Sequence, residues 1–578
     1  MRPTAIHPQS EHNRPKLRLW PALRKPFTPN PYILLPWSVT LLQRNSFRAR
    51  LSMQYKSKMT WAPPISLPDE FNAAAHFVDR HIREGRADKI AFECGDIRVT
   101  YGELFLRVNQ LGNALKSLGV RMEERVLLLL LDTPEFAVCY FGAIKIGAVP
   151  VPVNTLLKAG DYKYLLNNSR ARIAVVSDTL LPLIAAIPRN ELRFLETIIV
   201  VGENASAEDL RFEDLLQGSS SGLEPAPTSK DDAAFWLYSS GSTGQPKACV
   251  HLQHDMVVSA ERYAKAILNI SPEDRFFSVA KLFFAYGLGN GLYFPLAVGA
   301  TSILLPGPPR AQAVFESIER HRPTLFFSVP SNYVKLLAHE PSAGREFDLS
   351  SVRHAVSAGE ALPASIFHRF KERFGVEILD AIGSTEALHM MISNAPGVVR
   401  PGSSGKIIPG FEARIVDDNE LPVAGGEIGN LIVKADSTCA YYWNQHEKTK
   451  ETLFGHWLRT GDKYYQDEDG FFWYAGRTDD MVKVSGVWVS PIEIERLLSD
   501  HTAVQEVAVV FRCDADELAK PAAYIVLRSG YEAGPQLALE LQEFVLSRLP
   551  VYKRPRWIEF MEELPKTATG KVQRFKLK

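Results

Sequence analysis

The chain has 578 residues, more than one compact core accommodates, so two or more domains are expected. Hydrophobic residues make up 46% and charged residues 23%, the balance of a globular enzyme rather than of a disordered or fibrous chain. Lysine plus arginine equals aspartate plus glutamate at 66 each, which offers nothing overall to nucleic acid, and the apolar runs fall well short of the ~20 residues that span a bilayer.

The charge is uneven. Residues 1–60 hold eleven Lys/Arg and one acid, Glu11, which leaves 55 basic against 65 acidic residues in the remainder. Three readings compete for this basic extension, residues 1–58: a targeting peptide, a disordered arm, or sequence upstream of a true start at Met59 or Met53. The last is carried forward, because ordered-looking sequence begins abruptly at Leu67-Pro68-Asp69-Glu70. There a proline and two acids precede Phe71-Asn72-Ala73-Ala74-Ala75, as suits a helix N-terminus.

Next in order, Arg125–Leu131 is almost continuously apolar, Thr133–Ile146 is apolar at helical spacing, and Ala148–Val153 is strand-like again. This predicts a β-α-β unit with buried parallel strands. Similar alternation at Ile173–Val176, Ile198–Val201, Arg275–Val279, Thr301–Leu305 and Thr324–Ser328 predicts an α/β body with much parallel sheet. Beyond residue 400 the texture turns β-rich, with strands expected at Ala413–Val416 and Asn430–Lys434. Past Gly476 a smaller α+β unit is expected: helix Ile492–Leu498, strands Val504–Phe511 and Ala522–Leu527, helix Leu537–Leu549. The domain division is therefore 59–477 and 478–578. Five scattered cysteines, with no C-x-x-C pair, suggest neither a disulfide framework nor a zinc site but a reducing compartment, the cytoplasm.

The most informative stretch is Phe235-Trp-Leu-Tyr-Ser-Ser-Gly-Ser-Thr-Gly-Gln-Pro-Lys247. An apolar strand runs into six small residues, Ser239, Ser240, Gly241, Ser242, Thr243 and Gly244, and then Pro246 and Lys247. Glycines let backbone N–H groups close around an anion, hydroxyls add donors, and the lysine supplies compensating charge. It is not the Walker order, because no glycine directly precedes Lys247 and no Ser or Thr follows it. Taken alone, the stretch also reads as a flexible Ser/Gly turn.

Tyr238-Ser-Ser-Gly-Ser-Thr-Gly-x-Pro-Lys247 resembles the signature loop of the adenylate-forming superfamily of acyl- and aryl-CoA synthetases, luciferases and peptide-synthetase adenylation domains. Ala248 departs from that family's usual glycine, and its methyl group is tolerable if φ is negative there. Four further motifs follow in the family's order. Asp380-Ala-Ile-Gly-Ser-Thr-Glu386 resembles its second nucleotide motif. There a small-residue turn with Gly383 and Ser384 would pass the adenylate, Thr385 would bond phosphate and Glu386 would hold Mg²⁺. Just upstream, Ser357-Ala-Gly-Glu360 is similar to the loop beside adenine, with Gly359 at close approach. Trp457-Leu-Arg-Thr-Gly-Asp462 resembles the ribose motif. Tyr474-Ala-Gly-Arg-Thr-Asp-Asp480 and Lys483-Val-Ser-Gly486 resemble the hinge. The likeness implies that Arg477 touches ribose or phosphate, Asp479 is the pivot, and Ser485 and Gly486 let pantetheine pass. In Pro565-Lys-Thr-Ala-Thr-Gly-Lys571, the lysine would bridge carboxylate and α-phosphate. Each motif alone also reads as a solvated turn, and it is their order over more than three hundred residues that carries the family.

Lys281-Leu-Phe-Phe-Ala-Tyr-Gly-Leu-Gly-Asn-Gly291, Glu70-Phe-Asn-Ala-Ala74 and Gly383-Ser-Thr-Glu-Ala-Leu-His389 are similar to the benzoate–CoA ligase branch. The resemblance implies an aryl pocket lined by Phe284, Ala285, Tyr286, His389 and Met390. His389 would bond a ring hydroxyl or water, or simply fix the wall, and Phe283 or Phe284 could be ordinary core. Two departures, His251-Leu-Gln-His254-Asp-Met256 and the pair Met390-Met391, make a substituted benzoate plausible. The implied activity is ATP-dependent adenylation of an aromatic carboxylate followed by transfer to coenzyme A, with Mg²⁺ as cofactor. The implied fold is a large α/β body plus a small mobile lid, and a homodimer is the oligomer to test for. The rival readings are an aliphatic or carrier-loading enzyme, a luciferase-like oxygenase, and a catalytically dead adenylate-binding regulator. The last is disfavoured by the retention of Lys571, Glu386 and Asp462.

Overall fold

A computed structural model describes residues 62–206, 209–239, 245–340, 346–478, 482–484, 487–514, 518–566 and 572–577. The predicted β-α-β unit is present. Strands Arg125–Leu129 and Val149–Pro152 pair in parallel, joined by helix Pro134–Lys145, which starts with its proline in the first turn. They belong to an all-parallel five-stranded sheet completed by Ile173–Ser177, Thr197–Val201 and Leu210–Arg211.

A second, nine-stranded sheet forms the other half of the body. Its centre is six parallel strands in the order Ile378–Gly383, His354–Ser357, Leu325–Ser328, Arg275–Ser278, Thr301–Leu304 and Ile90–Cys94. Antiparallel strands close both edges, among them Met390–Ser393 beside Ile378–Gly383. These central strands are buried along almost their whole length, which is why they read as unbroken apolar runs. A third, antiparallel sheet joins Ala233–Ser239, Lys247–Leu252 and Tyr441–Tyr442.

The β-rich stretch beyond residue 400 is a five-stranded antiparallel sheet built on the long strand Trp457–Gln466, with the expected strands at Glu412–Val416 and Gly429–Lys434. The smaller C-terminal domain has helices Pro491–Ser499 and Pro535–Leu546 against strands Val504–Cys513, Ala519–Leu527 and Trp557–Met561. Val489, Ile494, Leu498, Val509, Ile525, Leu541 and Val545 form its own apolar core. No described helix is long and apolar enough to cross a membrane.

Two local expectations shift. The first helical stretch begins at Ala73, and its cap is Asn72 rather than the acids before it: Asn72 Oδ1 accepts from the N–H groups of Ala74 (3.1 Å) and Ala75 (3.4 Å). Glu70 instead forms an isolated bridge with Ser229. The C-terminal domain also gains the parallel strand Trp557–Met561, whose mixed burial gave no clean alternation.

One ion pair ties the first helical stretch to helix Pro134–Lys145. Lys145 Nζ, fully buried, donates to Asp79 Oδ1 (2.8 Å) and Asn109 Oδ1 (2.5 Å) and lies 4.8 Å from the Phe105 ring centroid. Burial pushes the Asp79 carboxyl up and the Lys145 ammonium down, and their mutual pairing opposes both shifts. Removing one partner strands the other charge. Lys145→Met is expected to cost about 3–5 kcal/mol, read as a lowered denaturant midpoint. An unchanged midpoint would mean that the pair contributes nothing.

Candidate active site

The phosphate-loop residues flank a hairpin. Ser239 ends one strand, Lys247 begins the next, and the two are cross-strand partners. Ser240, Gly241, Ser242, Thr243 and Gly244 lie outside the described residues. Lys247 Nζ sits 4.6 Å from the ring centroid of Tyr442. Ala248 meets the condition set for it: it lies in a strand, does not have positive φ, and buries its methyl group in the core.

Glu386 is brought to this hairpin. Its Oε1 accepts from Tyr442 Oη (2.7 Å) and Ser239 Oγ (3.2 Å), and its carbonyl accepts from Cys439 N–H (2.7 Å). Oε2 has no hydrogen bond or ion pair among the described residues, so one carboxylate oxygen is held while the other stays available. Ser384 Oγ accepts from Ala387 N–H at 3.1 Å, closing the turn. Gly383 is a steric requirement, since a Cβ there would lie 2.4 Å from the carbonyl oxygen of His389.

Asp380 sits one strand from Ser357, its register partner, and so close to the loop in which Gly359 takes φ +91°. Its Oδ2 accepts from Leu362 N–H (3.3 Å), while Oδ1 is buried without a partner, and burial pushes the carboxyl up to about 8. The ribose-motif Asp462 and the hinge-motif Arg477 are cross-strand neighbours, with Arg477 Nη1 donating to Asp462 Oδ1 at 2.9 Å. Gly461, at φ +73°, leaves room for that guanidinium, because a Cβ would be 2.8 Å from Nη2. Asp479, Ser485, Gly486 and Lys571 lie outside the described residues. Lys566 and Val572, on either side of the segment that holds Lys571, form an isolated bridge.

Of the expected aryl residues, Tyr286 and His389 are brought together. Phe284 and Ala285 open a short helix, and Tyr286 Oη donates to the carbonyls of Ser328 and Val356, at 3.2 Å each. His389, 3% exposed, packs its ring against Phe294 (4.4 Å), Tyr263 (5.4 Å) and Tyr286 (5.8 Å). Its Nε2 faces two acceptors, the Tyr286 carbonyl (3.3 Å) and Asn290 Oδ1 (3.2 Å), so the hydrogen is on Nε2 and Nδ1 is a buried acceptor. Burial holds the imidazole neutral, its pKa pushed down to about 3. Of the two readings for His389, this geometry favours the wall-fixing one. Met390 follows it, buried and paired with Gly383. Phe283 is buried, whereas Phe284 is half-buried beside it.

Residues 78–443 match the AMP-binding enzyme family, and residues 493–571 match its C-terminal domain. The chain belongs to the AMP-binding enzyme family, in its benzoate–CoA ligase branch. It is 49% identical to the benzoate–CoA ligase of Thauera aromatica over 518 residues, covering 89% of this chain and 97% of that one. It is 46% identical to the 4-hydroxybenzoate–CoA/benzoate–CoA ligase of Rhodopseudomonas palustris, covering 88% and 94%. The crystal structure of the anthranilate–CoA ligase AuaEII in complex with anthranoyl-AMP superposes with a TM-score of 0.84 at 44% identity, covering 88% and 97%.

Within this AMP-binding enzyme, sequence reasoning missed a supporting pair. His251 Nε2 meets the Thr385 carbonyl at 2.9 Å, and its Nδ1 meets Asp255 Oδ2 at 2.8 Å, with both side chains fully buried. The pair braces the backbone of the nucleotide motif from behind. Its only signal was the four-residue His–Asp spacing. Tyr442, the donor to Glu386, carried no signal.

His251→Ala is expected to lower kcat/KM for ATP by about 10–100-fold through loss of positioning, read by ATP–pyrophosphate exchange, and to lower Tm as well because buried Asp255 loses this partner. Unchanged exchange would mean that strand pairing alone fixes Thr385. For Asp380, the raised folded-state pKa means its stabilising contribution is complete below its unfolded value near 4 and is lost as pH rises through about 8. Asp380→Asn should flatten that loss, and equal pH–stability slopes in variant and wild type between pH 4 and 8 would contradict the assignment.

Proposed function

We propose that the protein is an AMP-forming aryl-CoA ligase that activates benzoate or a ring-substituted benzoate, such as a hydroxybenzoate, with ATP and passes the acyl group to coenzyme A. The observation that carries this reading is the packing of Tyr286 against a neutral, buried His389 beside Met390, at the segment expected to form the aryl wall. That segment abuts the strand end that continues into Ser384, Thr385 and Glu386. The curated relatives at 46–49% identity support the same reaction class.

In the first half-reaction a carboxylate oxygen of the acid bonds to the α-phosphorus, and the bond from phosphorus to the pyrophosphate oxygen breaks. Two unit charges ~4 Å apart repel by ~1 kcal/mol in water and ~4 at an effective dielectric of about 20, so the approach needs fixed positive charge. Lys571 is assigned to bridge carboxylate and α-phosphate, and the 239–244 loop and Lys247 to hold the triphosphate. Thr385 is assigned to phosphate, Gly359 and Asp380 to the adenine side, and Asp462 and Arg477 to the ribose. Glu386 Oε2 suits a hard cation that takes one protein carboxylate and completes its shell with phosphate oxygens and water. Magnesium, when bound there, would supply neutralisation of phosphate charge.

In the second half-reaction the sulfur of coenzyme A bonds to the acyl carbon, its proton is released, and AMP leaves. Lys571 must then withdraw. We assign 59–477 as the body and 478–578 as a lid turning on Asp479, with Ser485 and Gly486 facing pantetheine. The separate apolar core of the C-terminal domain supports a unit that can move as one piece. Five cysteines without a disulfide support a reducing compartment such as the cytoplasm.

Pyrophosphate release with ATP, Mg²⁺ and a panel of benzoates and short fatty acids, with and without coenzyme A, tests the assignment. CoA-dependent turnover on benzoates is expected, and activity on aliphatic acids alone would overturn the pocket reading. Lys571→Ala is expected to lose adenylation yet still convert supplied benzoyl-AMP and coenzyme A to the thioester. Normal adenylation by that variant would remove Lys571 from the mechanism.

A further inference from the structure

Behind the aryl pocket, the helix that begins at Asp255 widens from α to π geometry over Ala260–Lys265, a form frequent at functional sites. Neighbouring residues on that turn serve different sides. Tyr263 lies against His389, whereas Arg262 lines a separate cavity of about 650 Å³. That cavity is walled by the strap Pro63–Ile65, by Val257 and Ala266 of the helix and by Pro409, with Ser66, His76, Glu261 and Lys265 also lining it. Its volume is in the range of small-molecule sites.

Arg262 is only 8% exposed, yet it makes no hydrogen bond, ion pair or ring contact among the described residues, and its buried Nε has no acceptor. The backbone of Gly410 lies so close that a Cβ there would be 2.8 Å from Nε. A guanidinium taken out of water without an anion costs several kcal/mol. The other charges around the cavity are already settled. Lys265 Nζ donates to Glu261 Oε1 at 2.5 Å, and burial with Arg80 and Lys265 nearby holds His76 neutral, its pKa pushed down to about 3. One positive charge without a partner among the described residues therefore faces an open groove of mixed lining, with Pro63–Ile65, Val257 and Ala266 as its apolar part. The basic extension is an unpromising source of the missing anion, since its first sixty residues contain eleven Lys/Arg and only Glu11 as an acid.

We propose that this cavity is a second ligand site, distinct from the adenylation site, for a small amphiphilic monocarboxylate. Its carboxylate would pair with the Arg262 guanidinium in the two-pronged geometry that arginine favours. Its apolar body would lie against Pro63–Ile65, Val257 and Ala266. A single unmatched charge calls for a monoanion rather than a phosphate dianion.

Sodium octanoate is the probe. Crystals of the full chain soaked with 8-bromooctanoate should show anomalous bromine density in this cavity, with the carboxylate on Arg262. Calorimetric titration with octanoate should give binding that weakens at least about tenfold in both Arg262→Met and the cavity-filling Ala266→Phe. Benzoate adenylation, if it is the reaction, should stay within about twofold of wild type, a difference well below 1 kcal/mol. Because the crystal reports position directly, the outcome does not depend on which acid the enzyme activates. Bromine density only elsewhere, equal octanoate affinity in Arg262→Met, or Arg262-dependent binding of inorganic phosphate but not octanoate would overturn the proposal.

Discussion

The site depends on one row of parallel-sheet register. Ser328 and Ser357 pair where they end two adjacent parallel strands, and Asp380 is the cross-strand neighbour of Ser357 on the third. The sheet order thus sets the loops after those strands side by side, the place where open α/β sheets gather ligands. The next strand then returns antiparallel, pairing Gly383 with Met390, and this reversal swings His389 back against Tyr286. Glu386 and His389 are therefore carried on the same strand reversal.

Around that frame the polar groups are held in a graded way. Glu386 has one oxygen fixed by Tyr442 and Ser239, and Thr385 has its carbonyl fixed by His251. Asp462 is tied to Arg477 across a strand pair. For Glu386 and Thr385 the backbone or one atom is secured while another functional atom has no partner among the described residues, the arrangement expected where positioning and electrostatics do most of the work.

Legibility in the sequence followed the range of the interaction. The parallel strands could be read because burial on both faces writes an apolar run, and the motif order could be read because small residues and charges must recur where backbone meets phosphate. The ends of elements were right to within a few residues for the same reason. The brace of His251 and Asp255, the Tyr442 donor and the unpaired Arg262 could not be read. Each acts on a partner more than fifty residues away or on a cavity assembled from distant segments, and a single sequence does not encode which surfaces will meet. The strand Trp557–Met561 was missed because its half-exposed residues alternate poorly.

The tautomer of His389 has a consequence for how an acid would enter. With Nε2 facing two acceptors and burial holding the ring neutral, His389 offers no cation to the proposed aryl site near neutrality. A carboxylate gains nothing by going in head first and forfeits its hydration if it does. In the proposed aryl site, orientation would then be set by exclusion, with the ring end of the acid entering and the reacting carboxylate left at the mouth.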